Sequence, residues 1–129
     1  MPVKSICIFS VILVLSSLAF NTGCEDNGTN YQNIGPGRPY SPVPASGAQN
    51  QPLDVQLFWS CSDPNADPLT YEIFFGTTTA PPSVATNHTD TTYNPGVLNT
   101  NTTYYWKIIA SDAMFSKPGP VWSFSTRTE

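Results

Sequence analysis

Carboxylate and amide oxygens recur at alternate positions in the stretch Asp63-Pro64-Asn65-Ala66-Asp67. Oxygens placed at this spacing in a loop can converge on Ca²⁺, a hard cation that binds oxygen ligands. A simpler alternative is a turn stiffened by Pro64 and Pro68, in which the Asp and Asn side chains bond their own backbone. We predict that turn, keep calcium as the alternative, and assign no cofactor to the chain.

The same stretch resembles the opening of an EF-hand calcium loop but departs from it immediately afterwards. Pro68 stands where that loop needs glycine, and Phe74 stands where its bidentate glutamate belongs. The sequence therefore excludes an EF-hand at this position.

The sequence offers little material for catalysis. A hydrolase needs a nucleophile, a base and an orienting group that converge in a cleft. The single histidine, His88, lies in a polar stretch rich in Thr and Asn, which predicts an exposed loop residue. Cys61 has no basic neighbour in sequence to lower its pKa, and its position predicts a buried, small apolar side chain. We predict that the protein is not an enzyme and assign no catalytic residue.

Composition limits the class of protein and of partner. The chain has 129 residues, a formal net charge of -4 and 13 prolines, which fits one small domain with ancillary segments. Nucleic-acid binders cluster Lys and Arg on one face, whereas the five basic residues of this chain are scattered. We therefore expect no nucleic-acid partner and a monomeric domain.

The N-terminal segment has the pattern of an export signal. Lys4 precedes a mostly apolar run over residues 6–20, which is too short for a comfortable membrane span and typical of a signal peptide. Cleavage near Ala19 or Gly23, or an uncleaved signal anchor, would also keep the rest of the chain outside the cytoplasm.

Gly23 and Cys24 resemble the bacterial lipobox, in which a small residue precedes the cysteine that is lipidated and becomes the mature N-terminus. Asn21 departs from that motif, which usually has leucine there. The resemblance implies a lipoprotein signal peptide over residues 1–23 and a lipid on Cys24. Several acyl chains together anchor a protein stably to a bilayer. We expect a membrane-anchored, extracytoplasmic protein of the bacterial cell envelope or surface.

After Cys24 the composition changes twice, first to a segment without apolar periodicity and then to a domain. Residues 25–39 are rich in Asn, Gly and Pro and have no apolar periodicity, which predicts a flexible linker. We place the lipidated cysteine and linker at residues 24–41, one domain at residues 42–126 and a short tail at residues 127–129.

Residues 42–126 have the pattern of an all-β domain of about seven strands. Runs rich in Val, Ile, Tyr, Phe, Trp and Thr alternate with turn-forming clusters, and no window has a helical apolar stripe. Apolar residues recur at every second position, which predicts inward-facing sets. These sets are Val55, Leu57, Trp59 and Cys61; Leu69, Tyr71, Ile73 and Phe75; Tyr104, Trp106, Ile108 and Ala110; and Trp122 and Phe124.

These residues resemble a fibronectin type III domain. Trp59 stands at the family's core tryptophan, Tyr71-x-Ile73-x-Phe75 matches its third strand, and the tract GPVWSFST matches its last strand. Leu98 precedes Tyr104 at the spacing of the family's loop leucine and corner tyrosine. The resemblance implies a seven-stranded, two-sheet immunoglobulin-like sandwich, with the Tyr104 hydroxyl bonded to a backbone group of the preceding loop.

The resemblance places the third and sixth strands side by side. Five residues would then share the solvent face of one sheet: Glu72, Phe74, Tyr105, Lys107 and Ile109. We predict that this face binds a protein or a glycan, with simple cross-strand pairing as the alternative.

The resemblance also brings the loop after the sixth strand to the same end of the sandwich as the Asp63–Asp67 stretch. Asp112 lies in that loop and would join Asp63, Asn65 and Asp67 in the alternative calcium site.

Fold alone does not choose a function for a sandwich of this kind. We favour an envelope lipoprotein that presents the domain for protein interaction or adhesion. The alternatives are a structural spacer in a surface assembly and a carbohydrate-binding accessory module.

Overall fold

The segments with alternating apolar and polar residues, together with short edge pieces, form nine β-strands. The structure is a computed structural model that describes residues 31–129, so the signal peptide and Cys24 lie outside the described residues. In chain order the segments are β1 (Tyr40–Val43), β2 (Ala48–Gln51), β3 (Leu57–Ser60), β4 (Thr70–Gly76), β5 (Ser83–His88), β6 (Thr92–Tyr93), β7 (Thr103–Ser111), β8 (Ser116–Pro118) and β9 (Trp122–Thr126). Within the described part of the chain, no helix is long and apolar enough to cross a membrane.

The segments form two sheets. One sheet has the order β1-β3-β6, and the other has the order β2-β9-β7-β4-β5 with β8 also paired to β7. The pairing of β4 with β7 is the longest and runs antiparallel, without interruption, from Thr70 opposite Ser111 to Gly76 opposite Tyr105. This arrangement confirms the predicted all-β, two-sheet sandwich.

The nine segments correspond to the seven predicted strands because two strands are interrupted. The first strand changes sheets: β1 pairs with β3, whereas β2 pairs in parallel with β9 and covers the edge of the larger sheet. The last strand is divided by a bulge. Ile109 lies opposite Pro118, and Trp106 lies opposite Trp122. The two pairs are three residues apart on β7 but four apart on the last strand, so the last strand contains one extra residue.

The core lies between the sheets and consists of the predicted inward-facing residues. Its buried apolar members are Val55, Leu57, Trp59, Tyr71, Ile73, Leu98, Tyr104, Trp106, Ile108, Ala110, Trp122 and Phe124. The Asn99 N–H donates to the Tyr104 hydroxyl over 3.0 Å, as the corner-tyrosine resemblance implies. Thr126 is the one buried polar residue in the described part of the chain.

The domain begins earlier than residue 42, where the sequence placed its boundary. Residues Asn33–Glu129 form one compact unit. The Gly37 N–H donates to the Ser62 carbonyl over 2.8 Å, and the rings of Pro36 and Pro39 are buried. Composition predicted a linker here because prolines remove backbone donors and break periodicity. Pro36 and Pro39 are instead buried within the compact unit, so residues 33–41 belong to the domain.

Candidate functional site

The structure brings together all five residues of the predicted binding face. Glu72 lies opposite Ile109, and Phe74 lies opposite Lys107, on the neighbouring strands β4 and β7. Tyr105 lies two positions before Lys107, on the same side of β7. Their strand neighbours point into the core, so these five side chains share the outer surface of the larger sheet, and all are half-buried. We call this set the β4–β7 face.

The charged groups of the β4–β7 face already have partners, one within the face and one on the neighbouring strand β5. The Lys107 ammonium lies 4.3 Å from the centre of the Phe74 ring, a cation–π contact. The Ser83 hydroxyl donates to the Glu72 carboxylate over 2.8 Å. The face therefore presents an aromatic centre between a cation and an anion that are both held in position.

A second cluster lies at one end of the sandwich, where the β3–β4 and β7–β8 loops meet. Carboxylate oxygens of Asp63, Asp67 and Asp112 lie within 4.8 Å of one another. Asn65, the fourth predicted ligand, points elsewhere, since its amide oxygen accepts the Ile34 N–H over 2.8 Å. We call the three carboxylates the acidic cluster.

Asp63 forms the turn that the sequence favoured. One of its carboxylate oxygens accepts the N–H groups of Asn65 and Asp67, over 2.8 Å and 3.1 Å. Its other oxygen, Oδ2, is buried and has no hydrogen-bond partner. The Asn33 amide oxygen is likewise buried and without a partner. The turn therefore supplies hydrogen-bond donors to Oδ1 of Asp63 and none to Oδ2.

Asp112 connects the β7–β8 loop to the start of the domain. Its Oδ1 accepts the N–H groups of Phe115 and Met114, each over 2.6 Å. Its Oδ2 accepts the Asn33 side-chain N–H over 3.1 Å. The Phe115 N–H is the main cause that holds the pKa of Asp112 below its usual value, and partial burial opposes it. Asp112 is thus held as a carboxylate at neutral pH.

His88 differs from its prediction. It ends β5 rather than lying in an exposed loop, and its Nε2 lies 2.6 Å from the Thr92 carbonyl oxygen. Its ring packs against Trp59 and Tyr93, with ring centres 6.2 Å and 6.1 Å away. The prediction failed because the Thr and Asn residues around His88 are typical of turns, although they form β5 of the larger sheet and the connection to β6 of the smaller sheet. His88 therefore already has a backbone partner for its Nε2.

Cys61 is half-buried and packs against the core, as its alternation predicted. Its thiol donates to the Gly37 carbonyl over 3.3 Å. Burial raises the pKa of this thiol, and the nearby Asp63 carboxylate adds to the effect. A thiol with a raised pKa is a poor nucleophile at neutral pH.

The best-formed depression among the described residues is small. It has a volume of about 200 Å³, below the range of roughly 300–1,000 Å³ that small-molecule pockets occupy. Its lining carries no histidine, cysteine or carboxylate: Gly47, Ala48, Gln49, Thr103, Ser123, Phe124 and Ser125. This depression does not assemble the groups that general acid–base catalysis needs.

Comparison with known proteins supports the fold. The chain is similar to a solved Fn3-like protein from Clostridium thermocellum, with 21% identity and a TM-score of 0.52. The match covers 73% of this chain and 96% of that one. No family model matches the chain, and no curated protein sequence matches it significantly. The described domain thus has a fibronectin type III-like fold, which is typically non-catalytic.

Proposed function

We propose that this protein is a non-enzymatic lipoprotein of the cell envelope whose fibronectin type III-like domain binds a protein partner through the β4–β7 face. The observation that carries this proposal is the register of β4 and β7, which aligns Phe74 with Lys107 and Glu72 with Ile109. Aromatic groups and complementary charges on a rigid surface are typical of protein-binding patches.

Rigidity is the physical advantage of this location. Both strands are internal to the larger sheet, since β9 and β5 flank them. Side chains on internal strands lose little backbone freedom on binding, and this lowers the entropy cost of association. The contact between Lys107 and Phe74 holds the central side chains in one arrangement before a partner arrives.

A spacer role is the second candidate, and one observation favours it. Lys107 has a partner within the face and Glu72 has one on β5, so neither charged group needs a ligand to hold it in place. In a spacer, these contacts would only tighten the sheet. Glycan binding is less favoured because the ammonium over Phe74 covers the ring that a sugar would stack against.

The binding role is tested by replacing the two aromatic residues of the face, Phe74 and Tyr105, with alanine. We expect Phe74→Ala with Tyr105→Ala to weaken retention of an envelope partner by about tenfold or more, because large aromatic anchors dominate interface energies. The partner is first captured by crosslinking from the membrane fraction, and retention is then measured by surface plasmon resonance.

The matched control carries the same pair of substitutions on the smaller sheet, at the exposed residues Phe58 and Tyr40. We expect Phe58→Ala with Tyr40→Ala to leave retention unchanged. Equal retention by the two double variants, or loss by the control alone, would contradict a role for the β4–β7 face and favour the spacer. A Lys107→Glu variant reports on the same face without deleting an aromatic ring.

The anchor is a separate part of the proposal, supported by Gly23-Cys24 in the sequence. The domain begins at Asn33, so the predicted linker spans fewer residues than the sequence alone indicated.

We expect intact-mass analysis of the bacterial membrane fraction to find a mature chain that begins at Cys24 and carries acyl mass. Cys24→Ala should abolish both the acyl mass and the membrane association, because the thiol is the acceptor. Cys7→Ala, in the predicted signal peptide, should change neither. A membrane-bound chain of unmodified mass would exclude lipidation.

A further inference from the structure

We propose that the acidic cluster binds Ca²⁺, with Asp63, Asp67 and Asp112 as its anionic ligands. The Asn33 amide oxygen is the neutral ligand that completes this side of the site. This inference goes beyond the proposed protein-binding function and involves different residues at a different place on the domain.

The spacing of the carboxylates fits calcium. Calcium–oxygen bonds are about 2.3–2.6 Å long, so ligands on opposite sides of the ion are separated by about 5 Å. The cluster's oxygens lie within 4.8 Å of one another, inside that diameter. Magnesium demands near-octahedral geometry at about 2.0–2.1 Å, whereas calcium accepts the less regular geometry that carboxylates from two loops provide.

Two oxygens outside the turn's hydrogen bonds point independently to a missing partner. Asp63 Oδ2 and Asn33 Oδ1 are both inaccessible to solvent and accept no hydrogen bond. Buried polar atoms in folded proteins nearly always have a partner, and an ion is one of the few explanations for those that do not. The Asn33 amide lies at the cluster, because its nitrogen donates to Asp112 over 3.1 Å.

Charge supports the same conclusion. Three carboxylates at this separation repel one another, and the repulsion increases where solvent is excluded. Two basic side chains of the described residues are engaged elsewhere: Arg38 donates to the Pro118 carbonyl, and Lys107 lies over Phe74. A divalent cation at the cluster would offset most of its three negative charges.

A bound cation would also join three segments that are distant in sequence. Asp63 and Asp67 lie in the β3–β4 loop, Asp112 lies in the β7–β8 loop, and Asn33 begins the domain. Ca²⁺ would therefore stabilise the folded domain and the attachment of its first residues.

The test uses the full chain in detergent, stripped with EDTA and titrated with CaCl₂ by calorimetry. We expect saturable binding of one ion per chain. At a Ca²⁺ concentration about a hundred times Kd, the melting midpoint should rise by on the order of 10 °C. Mg²⁺ at the same concentration should produce a smaller rise.

Asp67→Asn is the most informative variant, because its side chain keeps its shape and loses only charge. We expect it to weaken Ca²⁺ binding by about tenfold or more. In EDTA the same variant should melt higher than the parent, because one repulsive charge is gone. If Asp67 only supported the turn, Asp67→Asn would not both weaken Ca²⁺ binding and raise the melting midpoint in EDTA.

Asn33→Ala tests the neutral ligand, and Asp54→Asn, at an exposed aspartate outside the cluster, is the matched control. We expect the first to weaken binding and the second to leave it unchanged. The proposal is overturned if millimolar CaCl₂ gives no binding heat and no shift in the melting midpoint. It is also overturned if Asp54→Asn weakens binding as much as Asp67→Asn. Neither result would affect partner retention by the β4–β7 face.

Discussion

Replacing Trp106 with alanine is expected to lower the free energy of unfolding by about 3–5 kcal/mol. The side chain is 0% exposed and lies at the centre of the core. Its ring centre is 4.7 Å from that of Trp122 on β9 and 6.5 Å from that of Trp59 on β3, so it contacts both sheets. Alanine would leave a cavity that a sandwich with paired strands on both sides cannot close.

Such a loss is a large part of the roughly 5–15 kcal/mol that stabilises a typical domain. Urea denaturation followed by fluorescence of the remaining tryptophans measures it. Trp106→Phe should cost less, partly because the indole N–H is buried without a partner and its removal loses no hydrogen bond. Val97→Ala, at a side chain that is 87% exposed, should have almost no effect. A loss below about 1 kcal/mol for Trp106→Ala would mean that the two sheets do not share this core.

Replacing Thr126 with valine is expected to cost about 1–3 kcal/mol, although the two side chains have the same shape. The Thr126 hydroxyl donates to the Asn99 carbonyl over 2.6 Å and accepts the Thr102 N–H over 3.0 Å. Both partners lie in the loop before β7, whose Asn99 N–H also donates to Tyr104. Valine would leave these backbone groups without their partner in a part-buried place.

Three further variants separate the hydroxyl from other effects. Thr126→Ser keeps the hydroxyl and should retain most of the stability, whereas Thr128→Val, at an exposed position, should be neutral. Tyr104→Phe combined with Thr126→Val should cost less than the sum of the single changes, because both side chains hold the same residue, Asn99. Additive losses in chemical denaturation would show that the two hydrogen bonds act independently.

Much of the architecture was predictable from local pattern. The alternation of Val55, Leu57 and Trp59 identified the inner face of β3, and the alternation from Tyr104 to Ala110 identified that of β7. Both predictions succeeded because a strand's pleat sends successive side chains to opposite faces, so neighbouring residues alone settle each side chain's direction. The five residues of the β4–β7 face follow from the same alternation once β4 and β7 are paired.

Other features had no local signal. Asn33 and Asp112 are 79 positions apart, and nothing in either neighbourhood marks them as partners. Pro36 and Pro39 have the composition of a linker, yet they are buried against the domain. His88 lies among turn-forming residues, and only the crossing from β5 to β6 gives its ring a place beside Trp59.

The amino-acid sequence by itself determined the class of fold, the residues of the core and the residues of the outer sheet surface. Tertiary structure alone decided where the domain begins, that Asn33 and not Asn65 lies beside the acidic cluster, and which buried oxygens lack a partner. The difference has a physical cause. Side-chain alternation is a property of a few consecutive residues, whereas the meeting of distant loops depends on how both sheets close around the core.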